Sequence, residues 1–353
     1  MRVLRRDASF SQIDFTQIIV RTIGVVLLAL VVIGSISTLL SGRYSGSQWL
    51  NFIVSGVAQG SIYALIALGY TLVYGVLRLI NFAHGEVFMS GAFTAFFLAD
   101  WLAKSGVLAA QPILSLLAIT LFSAAISTGL ALALERIAYR PLRRAPRLVP
   151  LITAIGASFF LQYTFRGLFG SNIRVYPDVE ILEGSIFGID RTLVVVFLSA
   201  MGMLAALYLF IQNTKTGRAI RAISEDLDTA ALMGVNVDRV IATTFALGGA
   251  LAGVAGVLYA LIFHQVSFFM GFVPGVKAFT AAVLGGIGNM PGAALGGLLL
   301  GIIEALGPSL ILDGLGIPAA HQLKDLIAFV VLVLILIFRP TGILGERLAT
   351  KRV

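Results

Sequence analysis

Eight stretches of this 353-residue chain are apolar over roughly the length of a membrane span, and that leaves the backbone little choice. They lie near 18–40, 50–73, 86–102, 112–134, 148–170, 191–211, 240–263 and 323–338. A spanning helix needs roughly 20 mostly apolar residues. With no water in the hydrocarbon, every N–H and C=O must be bonded inside the segment, so such runs become helices. Charged residues make up only 12% of the chain, about half the fraction of a soluble domain. The expected fold is all-α: a polytopic helical membrane protein of about eight full spans packed as one bundle.

The basic N-terminus MRVLRRD resembles the start of a signal peptide. The apolar run behind it is of full span length, longer than the ~7–15 residues of a cleavable signal core, and reads as a retained first span. The chain has no cysteine, so disulfides, thiolate metal sites and a cysteine nucleophile are excluded.

A net charge of +8 raises nucleic acid as a partner until positions are read. Of 25 Lys and Arg, three fall in 1–17, five in 135–147, four in 212–239 and four in 339–353, and Arg78 marks a fifth connection. With a cytoplasmic N-terminus, alternating spans put all five on the cytoplasmic side, the bias expected of short inner loops. The opposite loop Ser171–Asp190 carries Asp178, Glu180, Glu183 and Asp190 against Arg174, with Arg191 at its edge. The charge encodes orientation with both termini inside, and no nucleic-acid partner is expected.

Segment 213–239 is the one long charged interruption, with Lys215, Arg218, Arg221, Glu225, Asp226, Asp228, Asp238 and Arg239. It belongs in water, yet its middle alternates charge with apolar residues at helical spacing. Ser224 is placed to cap a helix with Glu225 and Asp226 in the favourable first turn, and Gly234 to end it in the left-handed conformation. Leu227, Ala231 and Met233 then form an apolar face. A polar helix between two spans can transmit force from a soluble partner to the membrane core; a merely solvated amphipathic loop is the plain alternative.

Two further segments break the apolar pattern. In 277–306, the centre GGIGNMPG holds Gly285, Gly286, Gly288, Pro291 and Gly292; at about 1 kcal/mol per glycine and 3 per proline, one continuous helix is disfavoured. Span parity requires this segment to begin and end outside, as a re-entrant hairpin with Gly286, Asn289 and Pro291 at a mid-membrane turn, or as two short crossings. Broken backbone at depth often lines a transport route; Gly288, Gly292 and Gly296, spaced by four, serve equally for helix packing. In 69–91, Arg78, Asn81, His84 and Glu86 interrupt apolar sequence, either as costly functional groups at depth or as a short cytoplasmic connection. Glu304 is a further candidate, as a pathway group or half of a buried pair, and Arg166 reads as a snorkelling side chain. None of the five lysines follows a glycine, so no phosphate-cradling P-loop is present, and His84, His264 and His321 are too scattered for a zinc pattern.

Four segments carry a family resemblance: NFIVSGVAQGSIYALIALGYTLVYGVLRLINFAHGEVFMSGAF, ERIAYRPLRRAPRLVPLITAIGASFFLQ, TGRAIRAISEDLDTAALMGVNVDRV and AFTAAVLGGIGNMPGAALGGLLLG. In this order they resemble the LivH-type permeases, inner-membrane subunits of bacterial ABC importers for branched-chain amino acids. The likeness covers 48–345. It leaves 1–47 as a cytoplasmic tail with an added span, and 346–353 as a cytoplasmic tail.

The resemblance implies half of a translocation pore in the bacterial inner membrane, surrounded by lipid and paired with a related second permease. It implies two cytoplasmic ATPase subunits that bind the ATP, no cofactor on this chain, and a periplasmic binding protein delivering leucine, isoleucine or valine. Asp228, Thr229, Ala230 and Gly234 loosely fit the cytoplasmic coupling motif of such permeases. Ser224, Glu225, Leu227, Asp228, Ala230, Ala231 and Gly234 are therefore the expected ATPase-coupling residues. Asn81, His84, Glu86, Gly286, Asn289, Pro291 and Glu304 are the expected pathway residues. A free-standing secondary transporter or channel, or a permease for another amino acid, an amide or urea, is the competing reading of the same features.

Overall fold

The structure, a computed structural model, describes residues 15–143, 145–146, 148–186, 188–339 and 341–345. Of the basic clusters, residues 1–14, Arg144, Arg147 and the 346–353 tail lie outside the described residues. The chain runs α1 Phe15–Ser41, α2 Gly46–Leu77, α3 His84–Lys104, a single turn α4 Val107–Ala110, α5 Pro112–Leu134 and α6 Leu148–Phe169. There follow α7 Arg191–Asn213, α8 Lys215–Glu225, α9 Leu227–Leu232, α10 Val237–Phe263, α11 Phe272–Gly285, α12 Met290–Gly307 and α13 Lys324–Phe338. Two short antiparallel pairs, β1 Arg174–Val175 with β4 Gln265–Val266 and β2 Ser185–Ile186 with β3 Ile189–Asp190, tie the loops after α6 and α10.

Among the described residues nine helices are long and apolar enough to cross a membrane. Eight are the expected spans. The ninth is Met290–Leu312, in which α12 continues through a π-turn. The Gly/Pro-broken segment therefore gives one short helix, α11 of 14 residues, and one arm of full span length, longer than a simple re-entrant hairpin implies.

Small residues decide which helices form the centre. Gly56 and Gly60 of α2 face Gly297 and Gly301 of α12, and a Cβ on Gly60 would stand 2.8 Å from the Gly297 carbonyl oxygen. On the far side of the bundle, Ser123 Oγ of α5 donates to the Gly253 carbonyl of α10 at 2.7 Å, and Ser127 Oγ donates to the Val87 carbonyl of α3 at 2.8 Å. Without a hydrophobic drive between helices in lipid, such close backbone contact and interhelical hydrogen bonding supply the association. α2, α3 and α10 are accordingly the most buried spans, whereas α1 and α13 expose most of their surface, as lipid-facing helices do. α1 meets the bundle where Gly34 packs on Ile311 and where Tyr44, just past its end, donates its hydroxyl to Asp313.

The breaks follow local chemistry. α2 opens with a capping box, Ser45 with Gln48, and closes at Arg78 in the left-handed region, φ 53°. The α11–α12 turn uses Gly286 (φ 108°) and Gly288 (φ 94°), and Asn289 caps α12 by accepting from the Gly292 N–H at 2.9 Å. Segment 341–345 clasps this turn: Ile343 N–H donates to the Leu284 carbonyl at 2.8 Å, Leu344 N–H to Gly285 at 2.9 Å, and Asn289 Nδ2 to Leu344 at 2.9 Å. A Cβ on Gly286 would meet Gly345 Cα at 2.7 Å. Since this segment directly follows α13, the turn lies level with the end of the last helix. That corrects the expected mid-membrane position of Gly286, Asn289 and Pro291: α11 is long enough to carry the chain past mid-depth before it reverses.

One span, α7, separates Ser185 in β2 from Thr229 in α9. In this cysteine-free chain, S185C and T229C are expected to react with a membrane-impermeant maleimide from opposite sides, which labelling of intact cells against inverted vesicles measures.

Candidate functional site

Outside the spans, the charged segment folds as two helices joined at Asp226. α8 is capped by Thr214, whose hydroxyl accepts from Gly217 N–H at 2.9 Å, and it buries Ile220 and Ile223. Asp226 then caps α9, accepting from Thr229 N–H at 2.8 Å, and that amide holds its carboxyl below the ordinary aspartate range. This corrects the expected helix start: Ser224 is not the cap but lies in the last turn of α8, its hydroxyl donating to the Arg221 carbonyl at 2.7 Å. Glu225 ends α8, Asp228 stands exposed in the first turn of α9, and Gly234 stops α9 with φ 86°.

α9 turns Ala230 inward and leaves its other apolar side chains in the open. Leu227 is 38% exposed, Leu232 88% and Met233 80%, with Ala231 exposed beside them. Leu232 is the most prominent of these and was not among the expected contact residues. The platform is tied to the bundle by Arg78, whose guanidinium donates to the Ser224 carbonyl at 2.5 Å. Arg143 spans Asp238 and Glu135, joining the end of the α5 region to the start of α10, and Arg140 adds a second bond to Asp238.

Within the bundle, two polar clusters occur. In the first, Lys277 Nζ of α11 contacts Glu304 Oε1 of α12 at 2.5 Å and Asp325 Oδ1 of α13 at 2.6 Å. Tyr63 OH lies 3.4 Å from the ammonium and accepts from Gln59 Nε2 at 2.6 Å. Lys277 and Glu304 are buried, and Asp325 is half-exposed beside a cavity of about 350 Å³ that Gln59, Tyr259, Phe263 and Lys324 also line. Of the two expected roles for Glu304, the buried pair is present. Lys277, Asp325, Tyr63 and Gln59 were not anticipated. A lysine inside an apolar run is the signal that could have found the first of them.

The second cluster gathers three of the other expected pathway residues, Asn81, His84 and Glu86, around the start of α3. Asn81 Oδ1 accepts from Tyr139 OH at 2.6 Å. His84 is buried edge-on against Tyr70, ring centroids 4.9 Å apart, with Nε2 unpartnered. Glu86 Oε1 accepts from Gln162 Nε2 of α6 at 2.6 Å and from Ser158 Oγ at 3.3 Å, while Oε2 has no partner. Gln162 and Ser158 were not anticipated. The structure thus brings Asn81, His84 and Glu86 to one region, pairs Glu304 with Lys277, and holds Gly286 and Asn289 at the turn clasped by 341–345.

The Lys277 cluster makes a prediction about folding. Removing one member of a buried ion pair costs roughly 3–5 kcal/mol because the partner is left charged and unpaired. K277M should therefore markedly lower the unfolding temperature of the detergent-purified chain, and adding E304Q should return much of the loss, as thermal denaturation would record.

The family model described as the branched-chain amino acid transport system permease component matches residues 52–336. The high-affinity branched-chain amino acid transport system permease protein BraD of Pseudomonas aeruginosa is 44% identical over 308 residues, covering 85% of this chain and 96% of the relative. LivH of Escherichia coli K12, which bears the same description, is 42% identical over 312 residues, covering 85% and 97%. A probable branched-chain amino acid transport permease protein, LivM of Methanocaldococcus jannaschii, is 33% identical over 156 residues, 40% of this chain and 43% of the relative. The chain belongs to the family of branched-chain amino acid transport system permease components.

Proposed function

We propose that this chain is the membrane-spanning permease subunit of an ATP-driven ABC importer for branched-chain amino acids, leucine, isoleucine and valine. The observation that carries the coupling part of this reading is the α8–α9 platform. It exposes Leu227, Leu232 and Met233 to water at one edge and is bonded through Arg78 to the end of the central helix α2. Water-exposed apolar side chains on a short helix fit a groove on a soluble partner, and in this reading that partner is a cytoplasmic ATPase. Two ATPase subunits bind the ATP, so the chain needs no cofactor or catalytic site of its own.

The rest of the assembly follows from the family. A second related permease completes the translocation path, and the partial match to a LivM protein supports a pairing of two similar but distinct chains. A periplasmic binding protein delivers the amino acid. The location is the bacterial inner membrane, with lipid around the outer helices and both termini in the cytoplasm. Asn81, His84 and Glu86 remain proposed pathway groups, and Ser224, Glu225, Leu227, Asp228, Ala230, Ala231 and Gly234, joined by Leu232, form the proposed coupling element.

L227D or L232D places a carboxylate in the docking face. Burying it unpaired costs several kcal/mol, enough to weaken docking by roughly two orders of magnitude. The expected outcome is a permease that inserts normally, no longer co-purifies with its ATPase and no longer supports transport. Retained ATPase binding and wild-type transport in both variants would remove α9 from the coupling role and return the secondary-transporter reading.

A further inference from the structure

Beside Glu86 lies a cavity of about 220 Å³. Its wall is apolar, built from Phe82, Ile155, Phe159, Phe272 and Val276, and its polar lining includes Glu86 and Ser158. Glu86 is 1% exposed, and its Oε2 accepts no hydrogen bond; a Cβ on Gly271 would come within 2.9 Å of that atom. A buried carboxylate oxygen without a donor is costly unless something supplies one. The neighbouring backbone adds a second, opposite charge. α3 begins at His84 and α11 at Phe272, and these two helix starts abut, with a Cβ on Gly275 only 3.0 Å from Gly85 Cα. Two helix N-termini at one place present partial positive charge.

We propose that Glu86 and this cavity form a subsite for an amino acid in transit, a ligand with a free ammonium group, a carboxylate and a compact apolar side chain. Glu86 Oε2 accepts from the ammonium. The carboxylate faces the paired starts of α3 and α11, an arrangement that broken membrane helices permit. The apolar side chain occupies the wall of Phe82, Ile155, Phe159, Phe272 and Val276. The volume lies below the roughly 300–1,000 Å³ typical of pockets for larger ligands, which suits a single amino acid. Ile155, Phe159 and Phe272 are more than 40% exposed and form a rim on the outside of this chain. The subsite therefore opens on the outer surface of this chain. This rests on the proposed function for its direction of transport, though not for its chemistry.

Two other roles would use the same residues. Glu86 could serve only to join α3 to α6 through Gln162, or the groove could hold a lipid acyl chain, which has no ammonium. E86Q separates these, because the glutamine retains an oxygen to accept from Gln162 while losing the charge. Binding of leucine, and of 4-methylpentanoate as the analogue lacking the ammonium, is measured by saturation-transfer NMR on the purified permease–ATPase complex in nanodiscs, without the periplasmic binding protein.

The wild type should bind leucine saturably and in preference to the analogue. E86Q should weaken leucine binding roughly tenfold to a hundredfold, the range for a charged hydrogen bond, and leave the analogue unchanged. I155W, which fills the cavity from its exposed rim, should also abolish leucine binding and keeps the test open if E86Q does not fold. No saturable leucine binding in the wild type, or equal leucine affinity in the wild type and a folded variant, would overturn the subsite. ATPase co-purification tests the importer assignment separately, so failure of one reading is distinguishable from failure of the other.

Discussion

Glycine facing glycine lets α2 and α12 approach until backbone meets backbone, at Gly56 and Gly60 against Gly297 and Gly301. Much of the bundle's geometry depends on this contact. With α12 fixed against α2, the turn at Gly286–Asn289 returns α11 along the same surface, which places Lys277 beside Tyr63 of α2 and Glu304 of α12. A Cβ on any of these four glycines would meet backbone or Cβ atoms closer than 3 Å, and in lipid no hydrophobic term exists to offset the lost contact.

The two intramembrane polar clusters differ in how their charges are met. Lys277 is matched by Glu304 and Asp325, with Tyr63 and Gln59 adding hydrogen bonds, so its charge is met from three helices and serves to hold them. Glu86 has only neutral donors, on one oxygen; its second oxygen has no partner, as is true of Glu304 Oε2, and each cluster borders a cavity. The difference lies in the counter-charge: Glu304 has the Lys277 ammonium within the fold, whereas among the described residues no salt bridge reaches Glu86, and a cationic group can meet it there.

Much of this was legible in the sequence. The eight apolar runs became helices because lipid allows them no other form, and GGIGNMPG broke where glycine and proline penalties said it would. Gly234 ended α9 as a left-handed glycine. What failed was information that the local sequence does not carry. Ser224 and Asp226 are both competent caps, and the choice of Asp226 follows from Thr214 starting α8 earlier, which keeps Ser224 helical. The depth of the glycine turn was misjudged because the partner that clasps it, 341–345, lies more than fifty residues away. Lys277 and Asp325 are 48 residues apart, so each looks isolated until α11 and α13 are packed together. Leu232 was passed over because helical spacing alone ranks it no differently from Ala231, whereas its 88% exposure marks it out.

The link between the platform and the bundle is short enough to be traced atom by atom. Arg78 is both the left-handed cap of α2 and the donor to the Ser224 carbonyl at the end of α8. Thus α9, through Asp226 and α8, is joined to the end of the most central helix. α2 in turn touches His84, whose ring fills the space beside Gly69 and packs on Tyr70, and His84 opens the helix that carries Glu86. A contiguous series of packed elements is one physical route by which distant sites are coupled. A docking force on α9 would therefore reach α2 first and the start of α3 next. That order puts the region around Glu86 two contacts from the platform, and Tyr63 of the same helix α2 lies against Lys277, so both polar clusters border the helix that meets the platform.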